Sequence, residues 1–111
     1  MQTYPFYSSG RLTIRFVGEL DHAAASPAMR AVAAAAEEFL PRQCVLDLAG
    51  LTFMDSSGIA VILRSKRLLS AMWTELLVTE PPEQARRVLE LAGLGSLLIQ
   101  AEAQRKEVTS L

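Results

Sequence analysis

The tetrapeptide Asp55-Ser56-Ser57-Gly58 carries the residues of this sequence best suited to regulatory chemistry. Asp and Ser side-chain oxygens accept hydrogen bonds from the unpaired N–H groups of a helix start, and an apolar run with helical spacing follows from Ile59. The tetrapeptide therefore predicts a helix N-terminus with Gly58 in the first turn. A glycine there costs about 1 kcal/mol relative to alanine, which is acceptable where another molecule must approach the backbone. We interpret Ser56 as a candidate phosphorylation site on a protein-binding surface.

The candidate residues also have simpler structural interpretations. Ser56 can act as a plain helix cap, and Asp55 can interact with the positive end of the helix dipole. Glu19 and Asp21 can be ordinary turn carboxylates, and His22, the only histidine, can be a surface residue. A lone imidazole without a cysteine or a second histidine nearby does not predict a metal site.

Composition and charge limit the classes of function. The 111 residues are enough for one domain, spanning 1–111, and half of them are hydrophobic, so a packed core is expected. A net charge of −1 gives no reason to expect direct nucleic-acid binding. Cys44 is the only cysteine, which excludes an internal disulfide and indicates a buried thiol in a reducing compartment. No stretch approaches the ~20 apolar residues of a membrane span, so we expect a cytoplasmic protein without membrane contact.

Hydrophobic periodicity and turn residues predict the elements that position these side chains. Strands are predicted in 2–7, 11–17, 44–48, 75–78 and 97–99, and helices from Ser26-Pro27 to Leu40, from Asp55-Ser56 to about Leu69 and from Pro81-Pro82 to Gly93. The segment 18–22 is interpreted as a connector. Strands joined by helices pair in parallel through right-handed crossovers. We therefore predict an α/β fold with a mixed, mostly parallel sheet of about five strands and helices packed on it, with its core in residues 3–100 and a tail or final helix over 101–111.

Two motifs, taken together, resemble a known family. Gly18-Glu19-Leu20-Asp21-His22 after the second strand and Phe53-Met54-Asp55-Ser56-Ser57-Gly58 after the third are similar to the anti-sigma-factor antagonists of the STAS domain family. The similarity is greatest to the sporulation type of endospore-forming bacteria. Ala92-Gly93-Leu94 also matches the family's usual small-Gly-Leu ending of the third helix. The resemblance covers almost the whole chain.

The resemblance implies a partner switch in transcription regulation. Such a protein, when unphosphorylated, binds an anti-sigma factor that is also a serine kinase, and binding frees the sigma factor. The kinase phosphorylates the serine directly after the aspartate, here Ser56, which switches binding off, and a serine phosphatase reverses the modification. ATP or ADP belongs to the partner, so no cofactor is expected for this chain. The motifs imply partner contacts by Glu19, Asp21, His22, Asp55, Ser57, Gly58 and Ile59.

The sequence departs from the family pattern at one turn. Family members usually carry one or two glycines between the second helix and the fourth strand, where this chain has Met72-Trp73-Thr74. A left-handed backbone would strain a bulky side chain, so we expect a turn of different construction. The favoured position of Trp73 is in the core against a helix.

Two other classes of function are alternatives to the switch. A serine hydrolase using Ser56 or Ser57 with His22 and an aspartate lacks the Gly-x-Ser-x-Gly elbow, so we do not expect an enzyme. A binding module with the same fold that is never phosphorylated, such as a sensor, a scaffold or a general-stress antagonist, is the nearer alternative. The sequence separates it poorly from the sporulation type because the stress-type proteins share the tetrapeptide.

Overall fold

The computed structural model describes residues 1–98, which form an α/β fold. The elements in chain order are β1 (Gln2–Ser8), β2 (Arg11–Leu20), α1 (His22–Phe39), β3 (Gln43–Met54), α2 (Ser56–Ala71), β4 (Glu75–Thr79) and α3 (Glu83–Leu91). The four strands lie in the order β1-β2-β3-β4, with β1 antiparallel to β2 and the other pairs parallel. The predicted mixed, mostly parallel sheet is confirmed.

The predicted fifth strand is wrong. Leu97 and Leu98 are helical and buried, while Ile99 and the predicted tail over 101–111 lie outside the described residues. Leu94, Leu97 and Leu98 have the i, i+3, i+4 spacing of one helix face. A run of three apolar residues cannot by itself distinguish a strand from a buried helical turn, which explains the error.

Two predicted boundaries around the first helix also change. The segment 18–20 belongs to β2 rather than to a connector, and α1 begins directly after Asp21 instead of at Ser26-Pro27. Asp21 is an equally good N-cap, and Ser26 instead accepts a hydrogen bond from the Arg30 side chain at 2.9 Å. Pro27 lies inside α1.

The core consists of apolar side chains from the sheet and from the inner faces of the helices. Alanines fill much of the inner face of α1, where Ala24, Ala28, Val32, Ala35 and Ala36 are buried. These slim side chains allow α1 to pack closely. Cys44 is fully buried, as predicted, and burial raises the pKa of its thiol to about 12, so the group stays protonated at neutral pH.

Trp73 occupies the turn after α2, and both predictions made for it are wrong. Its backbone is left-handed, with φ +60°, and 94% of the residue is exposed. The N–H of Thr74 donates to the Leu69 carbonyl at 2.8 Å, and the N–H of Trp73 donates to the Ser70 carbonyl at 3.1 Å. These two bonds form a Schellman motif, the usual helix ending, with tryptophan where glycine is normally found. The helix-ending hydrogen bonds therefore outweigh the strain of the residue.

Trp73→Gly is expected to raise the free energy of unfolding by about 1 kcal/mol, because a left-handed backbone disfavours any residue with a Cβ. The indole is exposed, so its removal loses little packing. Urea denaturation of the variant beside the wild type measures the difference. Trp73→Ala retains the Cβ and is the matched control, expected to stay near the wild type. If the Gly and Ala variants have equal stabilities, backbone strain is not the cause.

Candidate protein-interaction site

The register of β2 against β3 brings the two sequence motifs to one edge of the sheet. Leu20 pairs with Met54 and Glu19 with Phe53, at the carboxyl ends of parallel strands. The N–H of Asp55 donates to the Leu20 carbonyl at 3.4 Å. The segments that lead from these strands into α1 and α2 therefore leave the sheet side by side.

Aspartates cap both helices at this edge. Oδ1 of Asp21 accepts from the N–H of Ala24 at 3.0 Å, and Oδ1 of Asp55 accepts from the N–H of Ser57 at 2.8 Å. The predicted helix start at Asp55-Ser56 is confirmed, with Asp55 as the N-cap and Ser56 as the first helical residue. The positive ends of two helix dipoles consequently face the same edge, and each is compensated by a carboxylate.

The side chain of Ser56 is exposed at this edge. Glu19 and His22 are also exposed, whereas Asp21 and Asp55 are half-buried because each carboxylate turns toward its own helix. A hydroxyl in this position is accessible to another protein. Asp55 lines the same groove as Ser56, Asp21 caps the neighbouring helix, and Glu19 lies near the end of β2.

Gly58 is buried, so the reason for a glycine at this position is close packing inside the domain and not the approach of another molecule. A Cβ added there would lie 2.9 Å from Sδ of Met54 and 3.1 Å from Cδ2 of Leu20. The backbone at Gly58 is therefore not open to the approach of another molecule, because side chains of the domain itself cover it. Ser57 and Ile59 are partly buried beside it. Contact of Gly58 with a partner stays a prediction.

An apolar groove beside Ser56 was not identified in the sequence. It has a volume of about 540 Å³ and lies between the start of α2 and α3, lined mainly by Phe53, Ile59, Val88 and Leu91. Phe53 is 41% exposed and Leu91 is 85% exposed, and because both line the same groove they form part of one exposed apolar patch. In the sequence, Leu91 follows Val88 by three residues, which places both on one helix face, away from the buried positions of α3. This spacing was the signal that could have revealed the groove.

Residues 1–98 contain neither a candidate metal site nor a candidate membrane span. In that range no group of three or more His, Cys, Asp or Glu side chains is placed to hold a metal ion. None of the helices described there is both long enough and apolar enough to span a membrane.

The fold and the site define a small α/β domain with an exposed serine, neighbouring carboxylates and an apolar groove at one edge. The sequence model of the STAS domain matches residues 7–107, and the chain belongs to this family. The chain is 32% identical over 94 residues to an anti-sigma F factor antagonist of Lysinibacillus sphaericus, covering 85% of this chain and 80% of the relative. It is 35% identical over 92 residues to an anti-sigma F factor antagonist of Paenibacillus polymyxa, covering 80% and 76%.

Solved structures agree with the family assignment. The anti-sigma factor antagonist SpoIIAA in its unphosphorylated form superposes with a TM-score of 0.79 at 25% identity, covering 99% of this chain and 98% of that one. The Bacillus cell fate determinant SpoIIAA in the phosphorylated form superposes with a TM-score of 0.69 at 26% identity, covering 87% and 88%. The family resemblance inferred from the motifs is therefore confirmed.

Proposed function

We propose that this protein is an anti-sigma-factor antagonist that binds without catalysing a reaction. The unphosphorylated form binds an anti-sigma factor and thereby frees the sigma factor, in the cytoplasm where transcription takes place. The observation that carries the proposal is the exposed Ser56 at the start of α2, beside an apolar groove, in a chain similar to two named antagonists. The partner is also the serine kinase that modifies Ser56 with its own ATP, and a serine phosphatase restores the active form.

The groove supplies the docking energy in this proposal. Protein interfaces gain most of their affinity from a few apolar or aromatic side chains seated in pockets, surrounded by a polar rim. Phe53, Ile59 and Leu91 offer such an apolar centre, and Ser56 and Asp55 lie in the same lining. In this proposal the polar rim continues along the end of β2 and the start of α1 through Glu19, Asp21 and His22. Ser57 and Gly58, in the first turn of α2, add further partner contacts.

Phosphorylation of Ser56 would act on the complex more than on the fold. A phosphoserine carries roughly −1.5 to −2 charges at neutral pH. The N-terminus of α2 tolerates this charge, because helix starts favour anions by about 0.3–1 kcal/mol. In a docked complex the same charge would be desolvated beside the Asp55 and Asp21 carboxylates, and its bulk would lie at the mouth of the groove. We therefore expect phosphorylation to release the partner.

The test is incubation with ATP and each anti-sigma factor of the same genome, followed by intact mass measurement and peptide mapping. The expected result is a single phosphate on Ser56 that is absent in Ser56→Ala. Ser70→Ala is the matched control, because Ser70 is an exposed hydroxyl at the other end of α2. This control should still accept the phosphate.

Two other outcomes would change the proposal. Tight binding without modification would replace the switch by the alternative, a STAS-type binding or sensor module that is not phosphorylated. Absence of both binding and modification with every anti-sigma factor would contradict antagonist function.

A further inference from the structure

The side chain of Gln84 makes two hydrogen bonds to the last residue of β3. The ladder between β3 and β4 ends at the pair Asp47 and Thr79, so β4 does not accompany β3 to its carboxyl end. There, Nε2 of Gln84 donates to the Met54 carbonyl at 2.7 Å, and Oε1 of Gln84 accepts from the Met54 N–H at 3.0 Å. One carboxamide on α3 therefore satisfies both backbone groups of the last strand residue, as a neighbouring strand would.

The paired hydrogen bonds between Gln84 and Met54 join α3 to the turn that carries Ser56. Met54 directly precedes the cap Asp55, and its side chain packs under Gly58 in the first turn of α2. On the other side, Gln84 lies in the first turn of α3, whose own N-cap, Pro82, provides no side-chain hydrogen bond. The carboxamide thus ties two elements together at the point where the groove opens between them.

Glutamine is chemically well suited to this position. A carboxamide presents one acceptor and two donors in a plane and can pair with the N–H and C=O of a single residue. Asparagine has the same group but is one carbon shorter, and a carboxylate lacks the donor for the Met54 carbonyl. The paired bonds also fix an orientation, which a single hydrogen bond or an apolar contact does not.

We propose that Gln84 is a positioning residue that holds the Ser56 turn and the α3 wall of the groove as one surface, so that a partner docked in the groove meets Ser56 in a fixed orientation. This inference rests on the proposed function of Ser56. Gln84 itself lines the groove together with Ser56. Both of its hydrogen bonds go to Met54, so a loss of those bonds is detected in the exchange of the turn amides and not only in the binding of a partner.

The test compares Gln84→Met with Arg87→Met. Methionine matches glutamine in length and helix propensity and removes only the paired hydrogen bonds, and Gln84 lies on the surface, so the variant is expected to fold. Arg87 is the matched control, because it is exposed on the same helix and its side chain bonds to Glu83 at 2.9 Å. Both variants are measured by amide hydrogen exchange of the free protein and by phosphorylation kinetics with the anti-sigma factor that modifies the wild type.

In Gln84→Met we expect exchange of the amides from Met54 to Ser57 to accelerate about tenfold, the equivalent of one net hydrogen bond. Exchange in the other strands and helices should stay unchanged. The KM for phosphorylation should rise by a similar factor at nearly constant kcat, since a loosened surface weakens docking more than the chemical step. Arg87→Met should match the wild type in both measurements.

Three results would overturn the inference or separate it from the proposed function. Unchanged amide exchange in Gln84→Met would show that the paired hydrogen bonds do not hold the turn. Faster exchange with an unchanged KM would show that these bonds stabilise the turn locally but do not influence recognition of the partner. If no anti-sigma factor modifies the wild type, the proposed function fails, and the exchange measurement alone then decides whether Gln84 positions the turn.

Discussion

Ser56→Asp should bind the anti-sigma factor about a hundredfold more weakly than the wild type, a loss of about 3 kcal/mol. The carboxylate would add a charge to an edge that already holds Glu19, Asp21 and Asp55, and docking would desolvate all of them together. The folded domain should tolerate the charge, because Ser56 is exposed and a helix N-terminus favours anions by about 0.3–1 kcal/mol. Titration calorimetry and a thermal melt of the same samples measure both effects, and the melting temperature should stay near that of the wild type.

Ser70→Asp is the control for charge alone. It places the same carboxylate at the opposite end of α2, far along the helix from the proposed interface, and should bind the anti-sigma factor like the wild type. A large drop in the melting temperature of Ser56→Asp would indicate that Ser56 is mainly structural. Wild-type affinity in Ser56→Asp would mean that charge at this serine is not the switch.

Gly58→Ala should lower the free energy of unfolding by about 1–3 kcal/mol, the usual range for overpacking a core. Alanine is the better helix former by about 1 kcal/mol, so propensity alone predicts the opposite sign. The new Cβ would lie 2.9 Å from Sδ of Met54 and 3.1 Å from Cδ2 of Leu20. Both side chains are fully buried, so neither can move aside without disturbing the core. Guanidinium denaturation measures the change.

Gly95→Ala provides the comparison for a glycine without this constraint. A Cβ there would meet only Cγ of Glu90, at 3.9 Å, and Gly95 has no positive φ. This variant should be as stable as the wild type or slightly more stable. A Gly58→Ala variant of undiminished stability would mean that Met54 can repack, and that the glycine is not required by the fold.

Local signals in the sequence identified most elements and the helix that carries Ser56. The alternation of Leu12, Ile14 and Phe16 predicted β2, and these residues are buried as a set. The cap at Asp55 and the helix-ending residue Gly93 were identified because each depends on hydrogen bonds to residues a few positions away. The short segment at Leu97 was misassigned because too few residues were present to show a period.

At Trp73 the structure around the turn overrides the conformational preference of the residue itself. The rule that a bulky residue avoids a left-handed backbone predicted another turn, and hydrophobicity predicted burial. The Schellman bonds and the short connection to β4 instead impose the left-handed conformation, which turns the side chain into solvent. The strain of one residue, about 1 kcal/mol, is no larger than the loss of two helix-ending hydrogen bonds at about 0.5–1.5 kcal/mol each.

The sequence by itself determined the order of the elements from β1 to α3 and the identity of the candidate serine, because these depend on near neighbours along the chain. It also determined the family, because the two motifs are recognised by residue type without knowledge of their contacts. Only the tertiary structure placed Asp21 beside Asp55, which requires the register of two strands to be known. The same holds for the groove and for the bond from Gln84 to Met54, whose partners are 30 residues apart. Such contacts are set by how strands align and helices pack, and a slip of one residue would turn each side chain to the opposite face of the sheet.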